Sequence, residues 1–342
     1  MSKNSGYSLI ELSTALGIGL VVSLIASQLL LTSVRDLKVF ENRNDLSLRL
    51  VLANRVVGQN FSLSGGSSLF PWLTTRIEND CSALRGFPDC NHSDRLTIAN
   101  QFFNPTTLSF MPTLPISVFD RLGGKITLGL PCTLDSSFSN KHIIVVDSTS
   151  TEAFALWTTA INTVTCEVLF EPDQQGTVLN TTNYLTTDFS LGTLSFVRLR
   201  TYFLNSVTHQ LGYLENTSNT ASFDSNAVQI ILENTYDFQA ALGYDVSPQN
   251  GIISDNSSAT DEVLYNAAGD TFASLGGGGA KSSDLRSLYI AVVVGKSIGP
   301  NATNALSDKS FQYLDGPNIK IDGIDLQGLH RKINFRNSNL FQ

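Results

Sequence analysis

The chain begins with a long helical pattern that changes character halfway along. Residues 7–58 contain no proline, and the first half, as far as Val34, is apolar on every side and uncharged after Glu11. An apolar helix of this length is typical of a segment that crosses a bilayer. The second half is amphipathic, with one apolar stripe at helical spacing: Leu46, Leu50, Ala53 and Val57. We expect that stripe to pack against a globular domain.

From about residue 95 the pattern acquires a period of two, which is typical of half-buried β-strands. The strand candidates are Leu96–Ile98, Lys125–Leu128, His142–Val146, Ala153–Trp157, Val164–Phe170, Leu194–Leu204, Val228–Glu233 and Leu285–Val294. Turn signals separate most of these runs, and a long polar stretch, 247–283, is expected to be a loop. The predicted fold class is α+β: a long N-terminal α-helix, membrane-spanning in its first half, packed on an antiparallel β-sheet domain over residues 59–342.

One charge interrupts the apolar pattern, at Glu11. A carboxylate in a membrane span costs about 2.5–3.5 kcal/mol on insertion scales, so it usually has a partner and a role. An ordinary secretory signal peptide has a shorter apolar core, followed by a cleavage site. Here the apolar run continues without a clear cleavage signal into Arg35 and Lys38. A plain signal anchor explains the span, but it does not explain a glutamate five residues after Gly6.

The segment Gly6-Tyr7-Ser8-Leu9-Ile10-Glu11-Leu12 resembles the class III signal peptide of type IV pilins and type II secretion pseudopilins. The resemblance implies that residues 1–6 form a leader and that prepilin peptidase cuts between Gly6 and Tyr7. Tyr7 would then be N-methylated, in place of the usual phenylalanine. Glu11 becomes the fifth residue of the mature chain, where the family carries its assembly glutamate. The implied transmembrane part is 12–34, within a helix over residues 7–58.

More distant segments resemble one branch of that superfamily, the PilW-type minor pilins of the type IV pilus. The segments that carry this resemblance are Gly6–Glu11, Ile18–Leu20, Gln28–Ser33, Leu232–Gln239, Leu242–Asp245, Leu285–Val294 and Leu329–Asn337. Major type IVa pilins commonly carry a proline in the region that Gln28 occupies here. The length of 342 residues also favours a minor subunit. Residues between about 59 and 225 match nothing that we can name.

This resemblance implies a function in assembly. The chain would be a minor pilin that primes or caps the pilus, supporting adhesion, twitching or DNA uptake. Its partners would be other minor pilins, the major pilin, prepilin peptidase, the inner-membrane assembly platform and a tip adhesin. It would cross the bacterial inner membrane once, with its N-terminus in the cytoplasm, and then move into the pilus on the cell surface. The alternatives are a minor pseudopilin of a type II secretion system and a tip adhesin whose β domain binds a surface or glycan.

Composition narrows the choice of partners and chemistry. Charged residues are 15 % of the chain and the net charge is −8, which gives no general attraction for nucleic acid. The cysteines Cys81, Cys90, Cys132 and Cys166 all follow the membrane segment, so the implied orientation places them in the oxidising periplasm. Three pairings are possible, of which we favour Cys81–Cys90 and Cys132–Cys166. Zinc is the alternative, but no C-x-x-C spacing supports it.

The sequence contains little that indicates enzyme chemistry. The four histidines, His92, His142, His209 and His330, are scattered and form no H-E-x-x-H motif. The segment Gly276–Ser282 resembles a phosphate-binding loop only loosely, because Ala280 stands where that loop requires glycine. The segment 245–256 lacks the glutamate of a calcium-binding loop at its last position, which is Asn256. We therefore predict a non-enzymatic protein with no cofactor and no metal.

Overall fold

The structure is a computed structural model, and it forms two compact units, Met1–Leu48 and Arg49–Gln342. The residues that it describes are 8–62, 75–78, 87–88, 90, 92–101, 103–104, 109–110, 113–129, 134–149, 152–174, 183–216, 219, 223, 225–245, 262–265, 285–297, 310–314, 316–322 and 324–334.

A single helix, α1 (Leu9–Ser62), accounts for the first unit and the start of the second. It continues past Gly58, the predicted end, because one glycine costs only about 1 kcal/mol in a helix and does not have to stop it. Leu50, Ala53 and Val57 of the predicted stripe belong to the second unit and are 5 %, 1 % and 1 % exposed. By contrast, the apolar side chains of the first half are exposed.

The rest of the second unit is built mainly from antiparallel strands, which confirms the predicted α+β fold class. The described strands are β1 (Thr75–Glu78), β2 (Arg95–Gln101), β3 (Phe103–Asn104), β4 (Ser109–Phe110), β5 (Leu114–Asp120), β6 (Lys125–Leu128), β7 (His142–Val146), β8 (Ala153–Asn162), β9 (Glu167–Pro172), β10 (Thr193–Asn205), β11 (Gln210–Asn216), β12 (Val228–Glu233), β13 (Thr235–Asp245), β14 (Glu262–Tyr265), β15 (Leu285–Ser297) and β16 (Ile324–Asn334).

Six of these strands close into a barrel in the order β5-β6-β9-β8-β7-β10. Closure occurs at the start of β10, where Thr193 pairs with Pro115 of β5 on one side and with Val146 of β7 on the other. A closed barrel leaves no unpaired edge in its ring of strands. Its interior is filled by a cluster of buried apolar side chains that includes Phe119, Ile126, Val145, Phe170 and Phe196.

Beyond the barrel, β10 continues into an open extension of the same sheet. Its second half pairs with β2 on one side and β11 on the other, and β1 and β12 lie outside them. One face of this strand carries Arg198 and Arg200, which are half-buried. Arg200 donates two hydrogen bonds to Glu215 of β11, at 3.0 and 2.8 Å. The sheet therefore accommodates these cations by pairing them across neighbouring strands.

A second sheet has the strand order β14-β13-β15-β16. The described residues of the segment 310–322 lie over one face of this sheet, with Phe311 and Ile319 joined by a β-bridge and Leu314 packed against Ala241 and Tyr289. A Cβ atom at Gly328 would collide with the Tyr313 ring, and one at Gly316 would lie 2.7 Å from the Gln239 side chain. Glycine at these positions thus permits the segment to lie directly against the sheet.

Most predicted strands agree with the structure, with two corrections. The run predicted from Val164 is a turn as far as Cys166, and its strand, β9, starts at Glu167. The side chain of Asn162 accepts the amides of Val164 and Thr165, at 3.0 and 3.2 Å, which favours a turn over a strand. The predicted polar loop 247–283 contains β14, and the remainder of that loop lies outside the described residues.

Barrel closure generates a prediction about Gly192, the residue before β10. Its carbonyl accepts the Ile116 amide at 2.9 Å, and a Cβ atom there would collide with the Val146 backbone carbonyl. Because backbone cannot move aside without breaking the ring of strands, Gly192→Ala should lower the free energy of unfolding by about 1–3 kcal/mol. Urea unfolding of the purified chain measures this change.

Gly129→Ala is the matched control in the same barrel. A Cβ atom there would meet the Pro115 ring at 3.2 Å, a side-chain contact that a small shift relieves. Equal stability of the Gly192→Ala variant and the parent chain would contradict the proposed need for close backbone approach at the closure point.

Candidate functional site

The start of α1 is closed by two reciprocal hydrogen bonds between Ser8 and Glu11. The Ser8 amide donates to Glu11 Oε2 at 2.9 Å, and the Glu11 amide donates to Ser8 Oγ at 3.2 Å. The Ser8 carbonyl accepts the first intrahelical bond, from the Leu12 amide at 3.2 Å. This is a capping box, in which Ser8 is the N-cap and Glu11 the third helical residue. Glu11 therefore satisfies a backbone amide of its own chain.

The cap adds a role for Glu11 that the sequence analysis missed. The signal was present, because Ser8-Leu9-Ile10-Glu11 is an S-x-x-E motif directly before an apolar run. The carboxylate also lies at the positive end of the helix dipole, where a negative charge is stabilised. Oε2 accepts from Ser8, and Oε1 has no hydrogen-bond partner among the residues that the structure describes. One oxygen of Glu11 is thus left for a group from outside.

Four hydroxyl groups along the apolar half of α1 bond back to the helix itself. Ser13 and Thr14 donate to the Ile10 carbonyl, both at 2.9 Å. Ser27 donates to the Ser23 carbonyl at 2.8 Å, and Thr32 to the Gln28 carbonyl at 2.9 Å. These bonds remove free donors from the helix surface, as an apolar medium demands. Within the described part of the chain, one helix, Leu9–Gly58, is long and apolar enough to cross a membrane; this statement rests on length and composition.

The structure describes three of the sequence-predicted site residues, Glu11, Cys90 and Cys166. Glu11 is described and exposed. Gly6 and Tyr7, the predicted processing and N-methylation positions, lie outside the described residues, so these roles stay predictions. Cys90 and Cys166 are buried at 0 % and 1 % exposure, and neither is a free thiol. Cys81 and Cys132 lie outside the described residues, so the favoured pairings also stay predictions.

A buried polar network joins the start of β2 to β13 and was not foreseen. The Ser93 hydroxyl donates to Asp237 Oδ1 at 2.9 Å, and Gln239 Nε2 donates to the same oxygen at 2.8 Å. Next to it, Asp94 Oδ2 accepts the Ala240 amide at 2.7 Å. Asp94 and Asp237 are 0 % and 1 % exposed. The network fastens the two large sheets of the second unit to each other.

Burial raises the pKa of the Asp237 carboxyl, because an apolar environment disfavours the charged form. Hydrogen bonds from Gln239, Ser93 and the Phe238 amide act in the opposite direction but do not cancel the effect. The folded state therefore holds this proton more tightly than the unfolded chain does. The carboxyl is closed off by the protein and is a structural group in the interior.

A second buried pair is formed by His142 and Asp173, with Nδ1 2.6 Å from Oδ2. Their side chains are 4 % and 0 % exposed, and the His142 ring meets the Trp157 ring edge-on with centroids 4.6 Å apart. A histidine–carboxylate pair is one part of a hydrolytic triad. Here it is enclosed, so the geometry favours a brace between β7 and the end of β9. No group of three metal-ligating side chains occurs within the described ranges.

Comparisons with known proteins give a distant structural likeness and no sequence match. No protein-family model matches the chain. No curated protein matches it. Among solved structures, the chain is similar to a type IV-like pilin from Thermus thermophilus, with 9 % identity and a TM-score of 0.37, over 86 % of this chain and 96 % of that one. A likeness this distant carries no assignment, so the function is inferred from this chain's own residues.

Asp237 generates a prediction about pH. Its folded-state pKa lies above its unfolded value, so the free energy of unfolding falls as pH rises from about 4, the usual aspartate pKa, through the folded pKa. Asp237→Asn keeps an Oδ1 acceptor for Ser93 and Gln239 but cannot ionise. The free energy of unfolding of the variant minus that of the parent should therefore be larger at about pH 7 than at about pH 3. Thermal unfolding across that range measures the difference.

Asp188→Asn is a control of opposite sign. Hydrogen bonds from the Ser190 backbone and hydroxyl lower the pKa of the exposed Asp188, so its contribution is present at neutral pH and disappears as pH falls. This variant should lose stability relative to the parent at neutral pH and match it in acid. A difference between Asp237→Asn and the parent that is constant with pH would contradict the role assigned to burial.

Proposed function

We propose that this chain is an assembly subunit of a type IV pilus, a PilW-type minor pilin held in the inner membrane by α1 until it joins the filament. The observation that carries the proposal is the capped start of an exposed apolar helix, with a carboxylate in its first turn, directly after the Gly6-Tyr7 pair. A leader peptidase that cuts after Gly6 would leave Tyr7 as the first residue of the chain, directly before the Ser8 cap of α1.

The chemistry of assembly follows from the free oxygen of Glu11. Cleavage would create a positive amine at Tyr7, and the amine of one subunit could bind Glu11 Oε1 of its neighbour. In the low-dielectric core of a filament, such a pair attracts far more strongly than in water. If one partner is lost, the other is left as an unpaired buried charge, which is the costly outcome. The pair would therefore set the axial register between subunits.

The remaining parts of the proposal concern location and partners. The apolar half of α1 would store the subunit in the inner membrane, with the β domain on the periplasmic side. Moving the helix from lipid into a bundle of similar helices exchanges one apolar environment for another, and it leaves the self-bonded hydroxyls undisturbed. The partners would be other minor pilins and the major pilin, after contact with prepilin peptidase and the assembly platform. A structural role of this kind requires no cofactor.

Processing is the first test. Intact mass and N-terminal sequencing of the protein from its native membrane should find a chain that starts at N-methylated Tyr7 and depends on prepilin peptidase. Gly6→Ala should retain residues 1–6, because the peptidase requires the glycine. A parent chain that still begins at Met1 or Ser2 would contradict the proposal and indicate a plain signal anchor.

Assembly is the second test, and two variants separate the charge of Glu11 from its capping role. Glu11→Gln keeps an oxygen that can accept the Ser8 amide but removes the charge. Ser8→Ala removes the hydroxyl half of the cap, at a cost of about 1 kcal/mol, and keeps the charge. We expect Glu11→Gln to be cleaved normally but to be depleted from sheared pili at least tenfold, and Ser8→Ala to be incorporated.

The pattern of incorporation decides the mechanism. Normal incorporation of Glu11→Gln together with loss of Ser8→Ala would show that Glu11 acts only on its own helix. Immunoblots of the sheared filament fraction and of the membrane fraction, quantified for both variants in parallel, distinguish these outcomes.

A further inference from the structure

The polar side chains in the apolar half of α1 differ in how their hydrogen-bonding groups are satisfied. Several bond to their own helix. Ser8 and Glu11 bond each other, and Ser13, Thr14, Ser27 and Thr32 each donate to a carbonyl one turn earlier. A serine or threonine on a helix has such a carbonyl within reach. These residues therefore do not need a partner from another chain.

No side-chain hydrogen bond is described for Ser23 or Ser33, but each is a serine with a carbonyl of the preceding turn within reach. Gln28 differs from all of these residues because it is a carboxamide. Its side chain is exposed and has no hydrogen-bond partner among the described residues. Its carboxamide offers two donors and one acceptor oxygen, and it belongs to none of the side-chain types that bond back to the preceding turn. Gln28 lies six residues before Val34, about 9 Å inside the apolar segment along the helix axis. An unsatisfied amide at that depth is costly in lipid.

The neighbours of Gln28 form a seam suited to another helix. Val21, Leu24 and Leu31 stand at offsets of −7, −4 and +3 from Gln28, which is the spacing of alternating core positions in packed helix pairs. They are 56 %, 54 % and 60 % exposed. A single polar residue within such an apolar seam specifies register and oligomeric state in coiled coils, because it must meet its counterpart at the same level.

We propose that Gln28 is an interaction site in the membrane and that its partner is Gln28 of a second copy of this chain. The carboxamide is self-complementary, since its donor matches the acceptor of an identical group. In a parallel pair of inserted chains, the second copy presents that group at the same depth. The proposal requires only that α1 lies in an apolar medium, and it does not depend on the function in pilus assembly.

The expected size of the effect follows from measured hydrogen bonds between membrane helices. Contributions of about 0.6–2 kcal/mol correspond to a change of about 3- to 30-fold in a dissociation constant. Gln28→Leu should therefore weaken self-association by that factor. Gln28→Asn, which keeps a carboxamide, should retain part of it.

The test uses the full chain in phosphatidylcholine vesicles, labelled at the amino terminus with donor or acceptor dye. Energy transfer is measured over a range of protein-to-lipid ratios, and carbonate extraction checks that each variant is inserted. Ser27→Ala is the matched control at the adjacent position, because the Ser27 hydroxyl already donates to the Ser23 carbonyl. We expect Ser27→Ala to associate like the parent and Gln28→Leu to associate about 3- to 30-fold more weakly.

Three results would overturn the proposal: a parent chain that is monomeric in vesicles, a Gln28→Leu variant that associates like the parent, or equal weakening by Ser27→Ala. A monomeric parent chain would mean that any partner of the Gln28 carboxamide is a different subunit and not a second copy of this chain. The Gly6→Ala variant, which should retain its leader, is measured alongside. Association by that variant equal to the parent's would show that self-association does not require processing, and this separates the test from the proposed function.

Discussion

Every polar backbone group that leaves water must find a hydrogen-bond partner, and this constraint shapes both units of the chain. Among the described residues of the first unit the partners are internal to one helix, except in the exposed first turn, where the ladder cannot supply them. Ser8 and Glu11 supply them instead, each bonding the amide of the other. In the second unit, closing six strands into a ring meets the same constraint for those strands, because Thr193 and Leu194 at the start of β10 pair with both β5 and β7. A helix that satisfies itself and a barrel with a closed ring of strands are two solutions to one requirement.

Buried polar side chains of the β domain meet the same requirement for hydrogen-bond partners. Asp237 is buried with two hydrogen bonds on one oxygen, and its pKa is nevertheless raised, so burial outweighs the hydrogen bonds. Such a network favours one arrangement of the two sheets because its members are satisfied only in that arrangement. The His142–Asp173 pair has a similar position between β7 and the end of β9. The Asp237 network and the His142–Asp173 pair both contain residue types found in active sites, but their burial favours a structural role. Fold specification therefore accounts for the chemistry of these groups better than catalysis does.

The sequence was most informative where a pattern is local. A proline-free apolar run predicted α1, and short runs of strand-forming residues predicted β6, β7 and β12 with the observed bounds. The capping box was equally local and could have been found from four residues. Barrel closure could not, because no local pattern shows that one strand will pair on both sides with strands distant in sequence. The burial of Asp237 depends on Ser93, 144 positions away, so an aspartate in a strand with polar neighbours gave no sign of it. The N-terminal processing positions remain a prediction from motif alone.

Glu11 and Gln28 are both polar residues in an apolar helix, but they differ in charge and in the hydrogen bonds that their own chain supplies. These differences have to be known before a role is assigned to either residue. One oxygen of Glu11 accepts the Ser8 backbone amide. That hydrogen bond does not neutralise the carboxylate, so Glu11 requires a positively charged partner. Gln28 is neutral, and its demand is for a matched donor and acceptor at its own depth. A cation would satisfy the first, and an identical carboxamide would satisfy the second. Because the two requirements differ in chemistry and in position along the helix, one chain can use them for different contacts, one with a neighbour's amine and one with its own copy.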